Sequence, residues 1–298
     1  MPEADSGPRS AEESPTVTTP ASAEPSAEGA TALPTRPGDE PPAKAVRIFC
    51  VANQKGGVGK TTTTVNLAAG LARLGQRVLV VDLDPQGNAT MGSGVDKRAL
   101  AQSVYDVLLE SAGVREAAVE SGPGGYRLLG ANRELAGAEV ELVGVERRER
   151  RLKQALAEVA ADFDFALVDC PPSLNLLTLN GLVASHGVIV PMQCEYFALE
   201  GLSDLVNTIR QVHANLNPDL QLIGLLRVMF DPRITLQQQV SEQLRAHFGA
   251  KVFETIVPRN VRLAEAPSFG QPGIAFDPAS KGAQAYLEFA REVVRRLV

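Results

Sequence analysis

The sequence predicts an α/β protein with a doubly wound, mostly parallel sheet and helices on both faces. Short, continuously apolar runs alternate with segments of helical spacing along most of the chain. The apolar runs lack polar alternation, which is typical of strands covered on both sides. A glycine-rich turn joins the first such run to the first helix. Alternating strands and helices of this kind form parallel sheets.

The first predicted strand and the helix after it show the alternation that the rest of the chain repeats. The run VRIFCVAN (46–53) suits a buried strand, and TTTTVNLAAGLARLG (61–75) has apolar residues at helical spacing before a terminal glycine. Further strands are expected at 77–84, 126–131, 163–171, 187–193, 220–230 and 251–258. Further helices are expected at 103–110, 146–160, 174–185, 200–216, 235–248 and 279–297.

Residues 1–44 differ in composition from the rest of the chain. They hold nine of the 20 prolines, no aromatic residue, and eight acidic against three basic residues. Such a segment cannot bury enough apolar surface to offset the entropy of ordering. We therefore expect a disordered tail over 1–44 and one folded domain over 45–298.

Composition limits the class of protein. Without the tail, 27 acidic and 26 basic residues leave the body nearly neutral, so charge alone neither predicts nor excludes nucleic-acid binding. No apolar run reaches the roughly 20 residues of a membrane span, and no signal peptide is evident. Cys50, Cys170 and Cys194 are widely spaced, which predicts buried free thiols in a cytoplasmic protein.

The stretch NQKGGVGKTTTT (53–64) approximates the phosphate-loop pattern G-x-x-x-x-G-K-[ST]. Gln54 stands where the first glycine is expected, and Lys55 follows it as a second lysine. The remaining glycines let backbone N–H groups approach phosphate oxygens at a helix N-terminus. Lys60 is predicted to reach the terminal phosphates, and the hydroxyl of Thr61 to hold Mg²⁺. The predicted nucleotide-binding residues of the loop are Lys55, Gly56, Gly57, Val58, Gly59, Lys60, Thr61 and Thr62.

The loop K-G-G-V-G-K-T-T resembles the deviant phosphate loop of the ParA/MinD superfamily of ATPases. Four further stretches resemble the same superfamily in order, the last two its ParA/Soj branch: VLVVDLDPQGNAT (78–90), FALVDCPPS (165–173), PMQCEYFALEGL (191–202) and VPRNVRLAEAPSFG (257–270). The resemblance covers about 46–298 and implies a P-loop NTPase-like fold, ATP and Mg²⁺ as ligands, and ATP hydrolysis.

The resemblance also gives Lys55 a role. It implies that this lysine reaches across an ATP-dependent homodimer toward the nucleotide of the other subunit, in the manner of an arginine finger. Spacing alone leaves two alternatives, a phosphate contact within its own subunit and a solvated side chain.

Three carboxylates end predicted strands, where the ligand crevice of a parallel sheet lies. Asp169 follows FALV and is predicted to hold Mg²⁺ through water. The resemblance implies that Asp84 orients or activates the attacking water. Asp82 is expected to support the hydration shell of Mg²⁺, with a strand-end cap or a salt bridge as the alternative.

The resemblance extends to the base and to DNA. Pro258 and Asn260 are expected to lie against the adenine, unless VPRNV is an ordinary turn. Arg233 and Arg262 resemble arginines that bind double-stranded DNA without sequence preference on the ATP-bound dimer. From the residues alone, scattered arginines on a neutral domain are usually solvated.

Together these features predict a cytoplasmic, nucleoid-associated partition ATPase stimulated by a ParB-type centromere-binding partner. One alternative is a MinD-like regulator at the membrane surface. The stripe on 279–297, which includes Ala283, Tyr286 and Val293, is expected to pack on the core, with no membrane role. The other is an iron–sulfur reductase of the nitrogenase iron-protein type, which needs paired cysteines at the dimer interface.

Overall fold

The computed structural model describes residues 46–196 and 198–297. The tail expected over 1–44 lies outside the described residues. Within them, strands and helices alternate around one large sheet, and the predicted α/β class is confirmed.

The sheet has eight strands among the described residues, in the order β3-β4-β2-β5-β1-β6-β7-β8. Every neighbouring pair is parallel except β3 with β4, which is antiparallel at one edge. Chain order reverses beside β1, and the crevice at such a switch point is where parallel sheets bind ligands. The strands are β1 (Arg47–Val51), β2 (Val78–Asp82), β3 (Val119–Ser121), β4 (Tyr126–Leu129), β5 (Phe165–Asp169), β6 (Gly187–Met192), β7 (Gln221–Phe230) and β8 (Val252–Pro258).

The described helices connect these strands, with three short 3-10 turns between them. The 3-10 turns are Arg148–Arg150, Gly249–Lys251 and Ala266–Phe269. The α-helices are α1 (Lys60–Arg73), α2 (Asn88–Gly92), α3 (Val104–Leu108), α4 (Val114–Ala117), α5 (Leu135–Glu141), α6 (Arg151–Ala157), α7 (Leu176–Ala184), α8 (Ala198–Asn215), α9 (Thr235–Phe248), α10 (Val261–Glu265), α11 (Gly273–Phe276) and α12 (Lys281–Leu297).

Both faces of the sheet are buried. On β2, Leu79 and Val81 belong to one apolar cluster, and Val78 and Val80 to a second cluster on the other face. Because successive strand residues point to opposite faces, a strand covered on both sides must be apolar throughout. This explains the continuous apolar runs of the sequence.

The last helix packs with its apolar side against α1 and β8, as the sequence predicted. The predicted stripe omitted Phe289, which is fully buried and meets the ring of Phe253 edge-on, with 4.8 Å between centroids. Glu292 is also buried, and its carboxylate accepts hydrogen bonds from the backbone N–H groups of Glu254 and Thr255. In the described residues, no helix is both long and apolar enough to cross a membrane.

Candidate functional site

The glycine-rich loop runs from the end of β1 to the start of α1, at the carboxyl edge of the sheet. Gly57 and Gly59 have φ values of 71° and 83°, in the left-handed region that favours glycine. A Cβ atom built at Gly56 or Gly57 would meet nothing within 4 Å. The loop therefore has an open concave side and ends at the N-terminus of a 14-residue helix, which is suited to binding an anion.

Lys60 begins α1 and is 8% exposed. Its Nζ atom lies 3.3 Å from the carbonyl oxygen of Lys55, within the same loop. Burial lowers the pKa of Lys60, and the charge of Asp169, with smaller contributions from Cys170 and Asp84, opposes this shift. The ammonium group is thus held at the loop, where it feels the negative charge of Asp169.

Asp169 ends β5 and is fully buried. Its Oδ2 atom accepts a hydrogen bond from the Thr61 hydroxyl at 2.7 Å, and its Oδ1 atom accepts one from the Thr64 hydroxyl at 3.0 Å. Burial, together with the charge of Asp82 on the adjacent strand, raises the pKa of Asp169 to about 8. A carboxylate beside a threonine hydroxyl at the end of a strand forms a set of hard oxygen donors that suits a divalent cation.

Asp82 lies opposite Asp169 in the register of β2 and β5. Its Oδ2 atom accepts hydrogen bonds from the N–H and hydroxyl of Thr90, at 2.8 and 2.7 Å, and its Oδ1 atom accepts one from the N–H of Asp84. Burial raises the pKa of Asp82 to about 6. Its oxygens brace the loop after β2, which is the strand-end cap that the sequence left open. A role beside Mg²⁺ stays a prediction for Asp82.

Asp84 lies in that braced loop and is half-buried. Its Oδ1 atom accepts a hydrogen bond from the N–H of Gln86 at 2.9 Å, and this bond within the loop orients the carboxylate. Asp84 also lines the cavity above the phosphate loop. A carboxylate at this place can contact a water molecule in the cavity.

That cavity measures about 720 Å³, which is within the usual range for a small-molecule site. Its walls come from the phosphate loop, α1, the loop after β2 and the segment from α10 to α11. Val58 is buried, so only its backbone can serve a ligand. The lining includes Gly56, Gly57, Gly59, Lys60, Thr61, Thr62, Asp84, Met229 and Leu263. A larger hollow of about 1080 Å³ lies along β8 and the end of α12, and its lining contains none of these residues.

A smaller cavity of about 200 Å³ shares Gly59, Thr62, Met229 and Leu263 with the first. Pro258 and Asn260 line it, and their contact with the adenine stays a prediction. Asn260 also caps α10, because its side-chain oxygen accepts hydrogen bonds from the N–H groups of Arg262 and Leu263.

Lys55 is not among the described residues that line the cavity. Its ammonium group forms an ion pair with the carboxylate of Glu195, on the loop after β6. The backbone N–H of Lys55 donates to Asn53 at 3.0 Å, which fixes the start of the loop. Sequence reasoning assigned no role to Glu195, although it lies within a quoted motif, because the two residues are 140 positions apart.

Arg233 and Arg262 are exposed but both are paired. The guanidinium of Arg233 donates to both carboxylate oxygens of Asp231, at 2.9 and 2.6 Å. Arg262 pairs with Glu265 at 2.9 Å and with Asp277 at 3.4 Å. The Arg233 guanidinium, through its hydrogen bonds, lowers the pKa of Asp231 to about 2. Each arginine therefore carries a local counter-charge that sequence alone did not reveal.

The three cysteines are free and buried, which confirms the prediction of buried thiols. Among the described residues, no group of three or more His, Cys, Asp and Glu side chains could hold a metal ion. A buried thiol cannot face a second subunit, so this arrangement gives no support to an interfacial iron–sulfur cluster.

Comparisons with known proteins agree with the geometry. A family model described as an AAA domain matches residues 46–222. The chain is 52% identical over 247 residues to the sporulation initiation inhibitor protein Soj of Bacillus subtilis (strain 168), covering 83% of this chain and 98% of that protein. It is 50% identical over 250 residues to the chromosome partitioning protein ParA of Myxococcus xanthus, covering 84% of this chain and 88% of that protein.

A solved structure is similar across the same region. It is the cobyrinic acid a,c-diamide synthase of Mycobacterium smegmatis with a bound ATP analogue and magnesium. The TM-score is 0.74 at 43% identity, over 84% of this chain and 95% of the other. The phosphate loop, the carboxylate cluster beneath it and the two partition relatives lead to one conclusion: this chain belongs to the ParA/Soj family of P-loop ATPases.

Proposed function

We propose that this chain is a DNA-partition ATPase whose ATP-bound homodimer binds DNA without sequence preference. The proposal rests on one observation: the two lysines of the phosphate loop differ in how exposed they are. Lys60 is 8% exposed at the start of α1, whereas the side chain of Lys55 is 52% exposed. One subunit can therefore bind a nucleotide with Lys60 and present Lys55 to a partner subunit.

ATP and Mg²⁺ fit the residues of this site. The open side of Gly56 and Gly57 suits phosphate oxygens, which accept hydrogen bonds from backbone N–H groups. Thr61 and Asp169 would hold Mg²⁺, since their oxygens already lie together at 2.7 Å. A bound Mg²⁺ ion neutralises charge on the phosphates and polarises them for attack.

The reaction is hydrolysis of ATP to ADP and phosphate, by in-line attack of water on the γ-phosphate. Lys60 and the loop N–H groups bind the phosphates and stabilise charge that develops on them. Asp84 orients the attacking water from the loop after β2. Lys55 of the second subunit completes the site, so hydrolysis depends on a closed dimer.

Binding of DNA follows from pairing two subunits. A dimer doubles the number of copies of Arg233 and Arg262, and arginine contacts with phosphate release counterions from the duplex. A ParB-type centromere-binding partner stimulates hydrolysis and thereby releases the dimer. We expect the protein at the nucleoid, in the cytoplasm.

The test measures DNA binding and ATP hydrolysis side by side for two variants. Asp84→Ala should slow turnover by about 10²–10⁴-fold, because an orienting group is lost, while ATP, the dimer and DNA binding persist. Arg233→Ala should keep ATP binding and dimerisation but bind DNA more weakly and with a flatter salt dependence.

Arg291→Ala is the matched control for Arg233, because Arg291 is also an exposed arginine with one ion pair, to Glu288 at 2.7 Å. It should bind DNA as the unaltered protein does. Each protein is measured with ATP, ADP and no nucleotide, at two salt concentrations. The proposal is wrong if DNA binding is the same in all three nucleotide states, or if Arg291→Ala weakens it as much as Arg233→Ala.

A further inference from the structure

The loop after β6 contacts the phosphate loop at two points. The side-chain amide of Gln193 donates to the carbonyl oxygen of Gly57 at 3.3 Å. Two residues later, the carboxylate of Glu195 forms the ion pair with Lys55. The contacts connect the start of the phosphate loop with the segment that leads into α8.

The main chain around Lys55 is held independently of that ion pair. Asn53 accepts a hydrogen bond from the N–H of Lys55, and its own amide donates to the carbonyl oxygen of Pro191 at 2.9 Å. The long side chain of Lys55 can therefore change its partner without moving the loop. The ammonium group of Lys55 contacts the carboxylate of Glu195, which carries the opposite charge.

We propose that Glu195 is a positioning residue for Lys55, which holds its ammonium group within its own subunit until a second ATP-bound subunit displaces it. The inference rests on the proposed role of Lys55 across the dimer. Glu195 does not contact the nucleotide in this scheme. It acts only through Lys55, by competing with the phosphates of the facing nucleotide.

The competition has a physical basis in charge. An ammonium group satisfied by one carboxylate gains little from leaving it unless the new partner carries more negative charge. The phosphates of ATP carry more charge than those of ADP, so the exchange favours the ATP state. The pair thereby disfavours closure of the dimer on ADP.

The exposure of the pair sets the size of the effect. The side chains of Lys55 and Glu195 are 52% and 46% exposed, so water and salt screen the attraction. Exposed ion pairs contribute little each, and closing one dimer breaks two of them. Removing the carboxylates should therefore tighten the dimer by roughly two- to thirty-fold.

The variant that tests this is Glu195→Gln, which keeps the shape of the side chain and removes its charge. The dimer dissociation constant is measured by sedimentation with a non-hydrolysable ATP analogue and with ADP. Glu200→Gln is the matched control, since it removes one negative charge from an exposed glutamate five positions along the chain. Calorimetry on the monomer reports the affinity for the nucleotide.

We expect Glu195→Gln to tighten the dimer, with unchanged nucleotide affinity in the monomer, and Glu200→Gln to leave dimerisation as it was. The gain should shrink at high salt, because screening weakens the pair that was removed. A dimer that is unchanged or weaker in Glu195→Gln overturns the inference, and so does an equal gain in Glu200→Gln.

Lys55→Ala separates this inference from the function it rests on. If Lys55→Ala forms the dimer normally with ATP, then the cross-subunit role of Lys55 is wrong. If Lys55→Ala abolishes the dimer but Glu195→Gln does not tighten it, then only the role of Glu195 is wrong.

Discussion

Gly70, within α1, packs closely against α12, so a substitution there tests how the two helices fit together. A Cβ atom built at Gly70 would lie 2.7 Å from the Cβ atom of Ala290, 3.4 Å from Ile274 and 3.5 Å from the carbonyl oxygen of Tyr286. Neither Cβ atom can rotate away, because each is fixed to its helix. Gly70→Ala must therefore push apart the two helices, and α1 is the helix that begins with Lys60.

Two opposing effects set the change in the free energy of unfolding that Gly70→Ala causes. Alanine is more favourable than glycine inside a helix by about 1 kcal/mol. Adding atoms to a packed interior costs about 1–3 kcal/mol, and a contact between two helix backbones belongs near the upper end. We expect Gly70→Ala to lower the free energy of unfolding by about 1–2 kcal/mol. For a chain of this size that corresponds to a melting temperature lower by about 2–8 °C.

Gly201→Ala is the control, because Gly201 lies within α8 and a Cβ atom there would meet nothing within 4 Å. The same substitution should raise the free energy of unfolding by up to about 1 kcal/mol at this site. Urea denaturation of both variants measures the two values. A Gly70→Ala protein as stable as the Gly201→Ala protein would refute the packing argument.

Three further predictions concern the core, the phosphate site and the tail. Arg227→Met should lower the free energy of unfolding by about 1–3 kcal/mol in urea denaturation. The buried guanidinium donates to the carbonyl oxygens of Phe253 and Glu254 at 2.7 and 3.1 Å, and these acceptors would lose that donor. Lys60→Ala should abolish ATP binding in calorimetry, whereas unchanged affinity would contradict its assignment to the phosphates. Deleting residues 1–44 should shift the melting temperature by no more than a few degrees, since the sequence gives the tail no core residues; a larger loss would show that the tail packs on the body.

Sequence patterns predicted the long elements well, because each repeats its period several times. The strand expected at 187–193 is Gly187–Met192, and the helix expected at 235–248 is Thr235–Phe248. The short edge strand at Val119–Ser121 was missed, as were α2, α4, α5, α10 and α11. The missed strand has three residues, and the missed helices have four to seven residues, at most about two turns, which is too short to repeat a helical period.

Local features of the site could also be predicted from the sequence, whereas contacts between distant residues could not. The glycines and Lys60 follow from spacing, because a phosphate loop is a local structure. The partner of Lys55 does not, since Glu195 lies 140 positions away in the sequence. Thr64 was also missed, although it stands three positions after Thr61 and so on the same side of the helix, where both hydroxyls reach Asp169.

Charge balance links the two lysines to the carboxylates beneath the loop. Asp82 and Asp169 are buried at adjacent strand ends, with Lys60 as the nearest buried cation. A divalent cation offsets these carboxylates, but ATP then adds its own negative charge above them. The remaining lysine of the loop, Lys55, forms an ion pair with Glu195 instead. We propose that one subunit binds the nucleotide with too little positive charge of its own, and that Lys55 of a second subunit supplies the rest. On this proposal, the dimer is needed because the charge at the site is balanced only when both subunits contribute.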